Sequence, residues 1–272
     1  MIVDIIIPIY NPNEWLLEAI DSVFQQTHKD WHLYIVDDCS PELSETIIKI
    51  QELCNTKSNK MTFIKLHKNQ GPDIAKNFGA EKGEGDFVSF LDQDDKWHPD
   101  RLEKLLAVIN ADSDIGLVHS NIEGLDDENR LSVDYSSKEN EVRNSIPYYR
   151  LSKKVLSNIL LKSGTIRIGT VLVKRKVFSD MGMFVGGPIS SETIFFVELA
   201  LHYKIIHTPE ILNIRRFHSG QTTFRMSKRR MLGKMKAIAY LGFKHSELLR
   251  TSRIRYKQLL LRYIISSNRR FP

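Results

Sequence analysis

Before residue 90 the chain repeats one pattern three times: a short β-branched apolar run, a polar end, and a segment with apolar residues at helical spacing. Ile5-Ile6-Ile7-Pro8-Ile9 runs into Tyr10-Asn11-Pro12-Asn13, after which Trp15, Leu16, Ala19, Ile20, Val23 and Phe24 recur every three or four residues. Trp31 to Val36 runs into Asp37-Asp38-Cys39-Ser40-Pro41, and a helix is expected from about Leu43 to Cys54. Met61 to Leu66 is the third strand, followed by a loop that enters a helix between Gly71 and Lys82. Such alternation predicts an α/β fold with a parallel sheet, whose ligands gather where the strands' C-terminal ends open.

The next strand, Phe87-Val88-Ser89-Phe90-Leu91, ends in Asp92-Gln93-Asp94-Asp95. Three carboxylates this close repel one another and resist desolvation unless something positive lies against them. A divalent cation carrying a phosphate ligand would serve. So would exposure, as an acidic turn capping a helix that starts near Pro99. Three strand ends thus carry polar groups, at Tyr10-Asn11, Asp37-Asp38 and Asp92 to Asp95, and their recurrence at one sheet edge argues for a shared site.

The rest of the chain is read more coarsely. A helix is expected over 97–110 and a strand over 115–120. Residues 123–152 are polar and lack strong periodicity, suiting either an excursion toward a substrate or a variable loop. Val171 to Arg175 leads into a helix-like run from Lys176 to Met181, and Ile205 to Leu212 is expected as a short strand. With 272 residues, 42% of them hydrophobic and 26% charged, the chain can bury one full domain plus an appendage. Cys39 and Cys54 form no CxxC pair, so neither zinc nor a structural disulfide is expected. No signal-peptide pattern or membrane-length apolar run is seen, which makes the cytoplasm the expected compartment.

The net charge of +6 hides a division. Residues 225–272 hold 14 Lys/Arg against one acid, Glu247, whereas residues 1–224 hold 25 basic and 32 acidic residues. Two helices are expected in this tail, over 227–243 and 246–265, with Met231, Met235, Ile238 and Leu241 on one stripe, Leu248, Leu249, Tyr256, Leu259, Leu260, Tyr263 and Ile264 broadly on another, and basic residues elsewhere. A basic amphipathic segment suits an anionic membrane surface. A helical pair docked on the body is the plainer alternative, and nucleic acid, for which there is no motif, is not expected.

The run Ile7-Pro8-Ile9-Tyr10-Asn11, then Val36-Asp37-Asp38-Cys39-Ser40, then Asn69-Gln70-Gly71 with Ala75-Lys76-Asn77-Phe78-Gly79, then Phe90-Leu91-Asp92-Gln93-Asp94-Asp95, resembles the family 2 glycosyltransferases of GT-A fold. The resemblance covers nearly the first 110 residues. It implies a Rossmann-like, mostly parallel sheet flanked by helices, in a GT-A domain over 1–224 with a basic helical extension over 225–272. The nucleotide-binding half would take about 1–120 and the acceptor half about 121–224.

The same resemblance assigns roles. Pro8, Tyr10, Asn11, Asp37, Asp38, Lys76, Asp92 and Gln93 would form the nucleotide side. Tyr10 would stack on the base, and Asp38 would accept a uracil imide N–H. Asp37 would bond the ribose or cap the following helix. Lys76 would meet a phosphate or the nearby carboxylates, or stand in solvent. Asp94 would ligate Mg²⁺ or Mn²⁺, with Asp92 on the ribose or a metal-bound water and Asp95 structural. An Arg-x-His-x-x-x-Ser/Thr spacing would bring His218 to the metal or diphosphate and Arg216 to phosphate.

At the family's catalytic acidic pair, usually Glu-Asp, the chain has Glu192-Thr193. Threonine cannot act as a base near neutral pH, so Glu192 becomes the candidate, and a helix N-terminal acid favoured by the macrodipole is its bland reading. The expected activity is inverting, metal-dependent transfer from a nucleotide-diphospho-sugar, with a UDP-sugar as expected donor, to a saccharide or lipid-linked saccharide. The setting would be bacterial surface polysaccharide, lipopolysaccharide or capsule assembly at the inner face of the cell membrane. The rivals are a nucleotide-sugar-binding protein with impaired catalysis, which Thr193 keeps open, and a nucleotidyltransferase, which would want a Gly-rich basic loop after the first strand.

Overall fold

A computed structural model describes residues 1–41, 44–126, 133–163, 166–187, 189–218 and 228–268. Strands β1 (Val3–Ile9), β2 (Trp31–Asp37), β3 (Met61–Lys65) and β4 (Phe87–Phe90) alternate with helices α1 (Trp15–Phe24), α2 (Glu45–Thr56) and α3 (Pro72–Lys82). There follow β5 (Lys96–Trp97), α4 (Arg101–Ile109), β6 (Ile115–Asp126), α5 (Val133–Asn144) and α6 (Lys153–Ser163). Then come β7 (Val171–Lys174), α7 (Arg175–Asp180), α8 (Ser191–His202), β8 (Lys204–Phe217), α9 (Lys228–Lys244) and α10 (Leu249–Asn268).

Among the described residues the strands form one eight-stranded sheet in the order β3-β2-β1-β4-β7-β6-β8-β5. Its first four strands are parallel. The direction reverses at β7, which runs antiparallel to both β4 and β6, while the long β6 and β8 pair in parallel. Pro8 sits inside β1 without breaking the ladder. Ile6 points its carbonyl toward β4, where it accepts from Leu91 N–H, and Pro8 shares that parity but lies beyond the last β4 partner. Its missing N–H therefore faces no strand.

Period-two alternation divides β1 between two cores. Val3, Ile5, Ile7 and Ile9 pack with α1 and α4 on one face, and Ile6 packs with Ala75 and Ala80 of α3 on the other. The second core is larger. It joins Phe90, Phe178, Phe184 and Phe195, with ring centroids 5.2–5.5 Å apart along the quartet, to apolar residues of α6, α8, α9 and α10.

Several boundaries differ from the sequence reading. Residues 96–97 are a short strand and α4 begins only at Arg101, beyond Pro99-Asp100. The polar stretch 123–152 is largely structured where described: β6 continues to Asp126, and α5 is pinned by Asn140, whose side chain accepts from Ile122 N–H and donates to Ile122 O. Side-chain hydrogen bonds replace apolar periodicity there, which is why the helix left no pattern to read. β8 extends through both Arg215 and Arg216. The expected domain boundary near 224, the Ser/Thr end of the Arg-x-His pattern, and residues 164–165 lie outside the described residues.

Helix α9 docks on the body through the stripe expected from its spacing, whereas the set expected on the last helix divides: Leu248 and Leu259 are buried, and Leu249, Tyr256 and Leu260 are exposed. Met231, Met235, Ile238 and Leu241 are buried, and the last three join the second core. Ser190 N–H donates to Gly233 O, and Lys244 Nζ lies 2.9 Å from both carboxylate oxygens of Glu198 on α8. No helix among the described residues is long and apolar enough to cross a membrane.

Candidate active site

A cleft of about 700 Å³ opens over the C-terminal ends of β1, β2 and β4 and is closed on its far side by residues 167–170, α8 and β8. Pro8, Tyr10, Asn11, Asp38, Lys76, Asp92, Gln93, Asp94, Glu192 and His218 all line it. Residues separated by more than two hundred positions therefore share one wall.

On the β1 and β2 ends, backbone geometry explains the sequence. Asn11 takes a positive φ of 46°, and its N–H donates to Ser40 Oγ at 3.0 Å. Gln93 clasps the peptide of Tyr10, accepting its N–H at 2.9 Å and donating to its carbonyl at 3.3 Å. That clasp leaves the Tyr10 ring exposed, at 46%, on the cleft rim. Asp38 is buried and accepts the N–H groups of Gln70 and Gly71, each at 2.7 Å. Gly71 has a φ of 89°, which a side chain would strain. Asp37 lies below the cleft lining. One of its oxygens accepts from Ser40 N–H at 3.0 Å and Ser40 Oγ at 2.6 Å, and the other is 3.9 Å from Lys65 Nζ. It shapes the turn.

The three acids after β4 diverge. All three line the cleft: Asp92 is open to it; Asp94 Oδ2 meets His218 Nε2 at 2.9 Å; and Asp95 accepts the backbone N–H of Arg216 at 3.0 Å. Burial, then the neighbouring Asp94 and Asp92 charges, push the Asp95 carboxyl well above the ordinary range, against the pull of Arg215. Trp15 backs this corner, its ring 4.7 Å from that of His218 and 5.0 Å from the Arg216 guanidinium.

Arg216 itself does not reach the cleft lining. Successive β8 residues face opposite sides of the sheet, so Arg216 turns toward α1, donating to Glu18 Oε2 at 2.8 Å and to Asp94 O at 3.3 Å, while Arg215 lines the cleft. The expectation of a phosphate-facing Arg216 is corrected by one residue of strand parity.

Lys76 is the electrostatic centre. Its buried Nζ lies 3.7 Å from Glu192, 4.0 Å from Asp92 and 4.0 Å from Asp73. Burial would lower its pKa, yet Asp92, Glu192 and Asp73 together raise it, so it stays charged. Glu192 lies in the first turn of α8, its side chain 39% exposed, and partial desolvation in the cleft raises its pKa against the opposing effect of Lys76. Thr193 points elsewhere, its hydroxyl 2.9 Å from Ser190 Oγ, where it helps close the helix start.

The opposite wall holds residues that the sequence reading passed over. Arg167 is locked by Glu139 through Nε at 2.8 Å and a second, shorter contact, and Glu139 also accepts from the buried Arg143 at 3.0 Å. Burial would raise the Glu139 pKa, but Arg167, then Arg143 and Arg215, hold it down at about 2. Beneath this wall the fully buried Arg101 donates to Asn213 Oδ1 (2.8 Å), Ser89 Oγ (3.1 Å), Val171 O (3.0 Å) and Gly169 O (3.3 Å), with Trp97 stacked 3.8 Å away. An arginine two positions after Pro99, ahead of an apolar helical stripe, was the one available signal, and it reads equally as a solvated helix start.

A mixed sheet whose parallel half ends in a carboxylate-lined cleft is the GT-A arrangement of nucleotide-sugar transferases, and solved structures of that fold match it. The mannosyltransferase PcManGT from Pyrobaculum calidifontis, in complex with GDP-Man and Mn²⁺, matches with a TM-score of 0.67 at 16% identity, covering 93% of this chain and 68% of that one. S. aureus TarS 1-349 in complex with UDP-GlcNAc matches with a TM-score of 0.64 at 18% identity, covering 88% and 66%. The chain belongs to glycosyl transferase family 2, whose model matches residues 4–181. Membership leaves the nucleotidyltransferase alternative without support.

Among curated relatives, a putative teichuronic acid biosynthesis glycosyltransferase, TuaG of Bacillus subtilis, is 36% identical over 105 residues, 39% of this chain and 40% of that protein. An uncharacterized glycosyltransferase of Haemophilus influenzae is 33% identical over 175 residues, 64% and 63% of the two chains. The chain thus spans less than two thirds of these relatives.

Proposed function

We propose that this protein transfers a sugar, with inversion, from a UDP-sugar to a hydroxyl of a saccharide or lipid-linked saccharide in bacterial surface polysaccharide assembly. One observation carries the reading: a single cleft holds Glu192 and the Asp92–Asp94 pair, with Lys76 Nζ 3.7 Å from Glu192 and 4.0 Å from Asp92. Tyr10 offers its ring to the base, and Asp38, with both oxygens already ordered by backbone N–H groups, keeps lone pairs for an imide donor. The names of TuaG and of the UDP-GlcNAc complex of TarS favour a cell-wall polymer and a uridine donor.

Asp94 and His218 suit Mg²⁺ or Mn²⁺, since a carboxylate oxygen and an imidazole nitrogen converge at the cleft and diphosphate oxygens would complete the shell. Among the described residues no three His, Cys, Asp or Glu gather to hold a metal by themselves. Such an ion supplies charge that offsets the growing negative charge on the leaving diphosphate. Arg215 adds cationic charge in the lining, and Arg216 supports the Asp94–Asp95 turn from behind. Glu192 removes the acceptor proton as the acceptor oxygen attacks the anomeric carbon from the face opposite the diphosphate. Lys76 favours the ionised form of Glu192 that this task needs. The acceptor is met at the inner face of the membrane, with peripheral contact to anionic lipid.

A panel of nucleotide-sugars, with and without Mn²⁺ and scored by release of free nucleotide, tests this. We expect Mn²⁺-stimulated UDP release that Asp94→Ala abolishes. UDP binding with no release from any donor would instead support a binding protein, the reading that Thr193, bonded to Ser190 rather than facing the cleft, keeps in play.

A further inference from the structure

The apolar stripe that the sequence marks on α9 is spent on docking, yet the opposite side of the helix pair is not a plain solvated face. On α9, Leu232, Lys236, Ala239, Tyr240 and Phe243 are exposed, and Phe243 reaches 94%. These positions fall on one stripe at helical spacing. On α10, Leu249, Arg250, Arg253, Ile254, Lys257 and Leu260 are exposed in the same way.

The two stripes share a side. Gly242 and Ser252 face each other across the hairpin, since a Cβ on Gly242 would lie 2.5 Å from that of Ser252. Measured from this contact at 100° per residue, the body-facing Leu241 of α9 and Thr251 of α10 lie one step in one sense, and Thr251 donates to Asn158 of α6. Phe243 and Arg253 lie one step in the other sense. Because the helices are antiparallel, both steps lead away from the body, giving one continuous outer face.

We infer that this outer face of α9 and α10 is a docking surface for a bilayer bearing anionic lipid, with Phe243 and Tyr240 entering the headgroup boundary and Lys236, Arg250, Arg253 and Lys257 meeting lipid phosphates. The inference deepens the peripheral-membrane part of the proposed function and rests on it. Charge complementarity selects the occupant. A second copy of this chain would bring the same cations against themselves. A nucleic acid would use the cations and leave Phe243, Ile254 and Leu260 in water, whereas a bilayer accommodates both kinds of side chain. Residues 1–224, with 32 acids against 25 bases, are repelled by an anionic surface, so attraction through the tail also sets orientation.

The test is flotation of the full chain with vesicles of phosphatidylcholine alone or mixed with phosphatidylglycerol, at low and high salt. Binding to the mixed vesicles, weakened by salt, is expected. Each cation near the surface is worth about fivefold in partitioning, so Arg250→Gln with Arg253→Gln should lower it on the order of 25-fold. Phe243→Ser, at a position too exposed to disturb the fold, should lower it roughly tenfold. The inference is overturned by failure to bind mixed vesicles, by binding that ignores both variants, by a dimer in light scattering that Phe243→Ser dissolves, or by preferential binding to single-stranded nucleic acid that the arginine variants abolish. UDP release measured on the same preparations keeps the two readings apart. Release without vesicle binding removes only the docking surface, and vesicle binding without release removes only the transferase reading.

Discussion

Replacing Glu139 by Gln removes a charge from behind the cleft wall while keeping its shape. In the folded protein this carboxylate sits between Arg167 and Arg143, and its pKa falls from 4.5 to about 2 because those cations, with Arg215, outweigh the effect of burial. That fall corresponds to about 3 kcal/mol of preference for the ionised, folded form. The amide oxygen can keep one hydrogen bond, so we expect Glu139→Gln to lose about 2 kcal/mol at neutral pH. Arg143, only 1% exposed, then loses its carboxylate partner, which pushes the cost upward. The pH dependence has a definite sign. Since the folded value is depressed, the contribution is complete above 4.5 and is lost as pH falls from there toward 2. Urea unfolding followed by tryptophan fluorescence should therefore show a gap between wild type and variant that is full at neutral pH and narrows on acidification through that window. A neutral-pH gap below about 0.5 kcal/mol, within the range of ordinary surface substitutions, or one of constant size in acid, would refute the reasoning.

Three further outcomes follow from the cleft. Glu192→Gln should cut transfer by about 10² to 10⁴ while leaving UDP affinity, read by titration calorimetry, within a few-fold. Lys76→Met removes the cation that opposes the raised Glu192 pKa, so the acid limb of the activity profile should move to higher pH; an unmoved limb would show that Glu192 does not set it. Gly71→Ala strains a backbone at a φ of 89° and loosens the N–H groups that order Asp38, and should weaken UDP binding measurably, with a stability loss of about 1 kcal/mol or more by urea unfolding.

The parallel half of the fold was legible because its strands are buried on both faces and its polar residues cluster at strand ends. Tyr10, Asp38, Asp92, Asp94, Glu192 and His218, named from motifs, share one cleft. What escaped the sequence depended on parity, pairing and buried polarity. Arg215 and Arg216 differ by one position and occupy opposite sides of a strand whose length was underestimated. Helix α5 owes its place to Asn140 and Glu139, polar residues that no hydrophobic period reveals. Arg101, which donates to an amide oxygen, a hydroxyl and two backbone carbonyls, is the kind of buried cation that composition and spacing place at the surface. In the tail the α9 stripe was visible, but only packing shows that it faces inward while Leu249, Tyr256 and Leu260 of the other set face out.

The antiparallel insertion of β7 between β4 and β6 has a consequence for how the two halves can be handled. They are not two modules joined by a linker. A chain cut near residue 120 would end inside β6 and would lack β7, leaving β4, buried at all four residues and apolar at three, as an open sheet edge. Such a fragment would seek another strand to pair with, so swapping acceptor halves between relatives at that boundary calls for co-transfer of β7 with its neighbours, and the unit of exchange is the whole sheet.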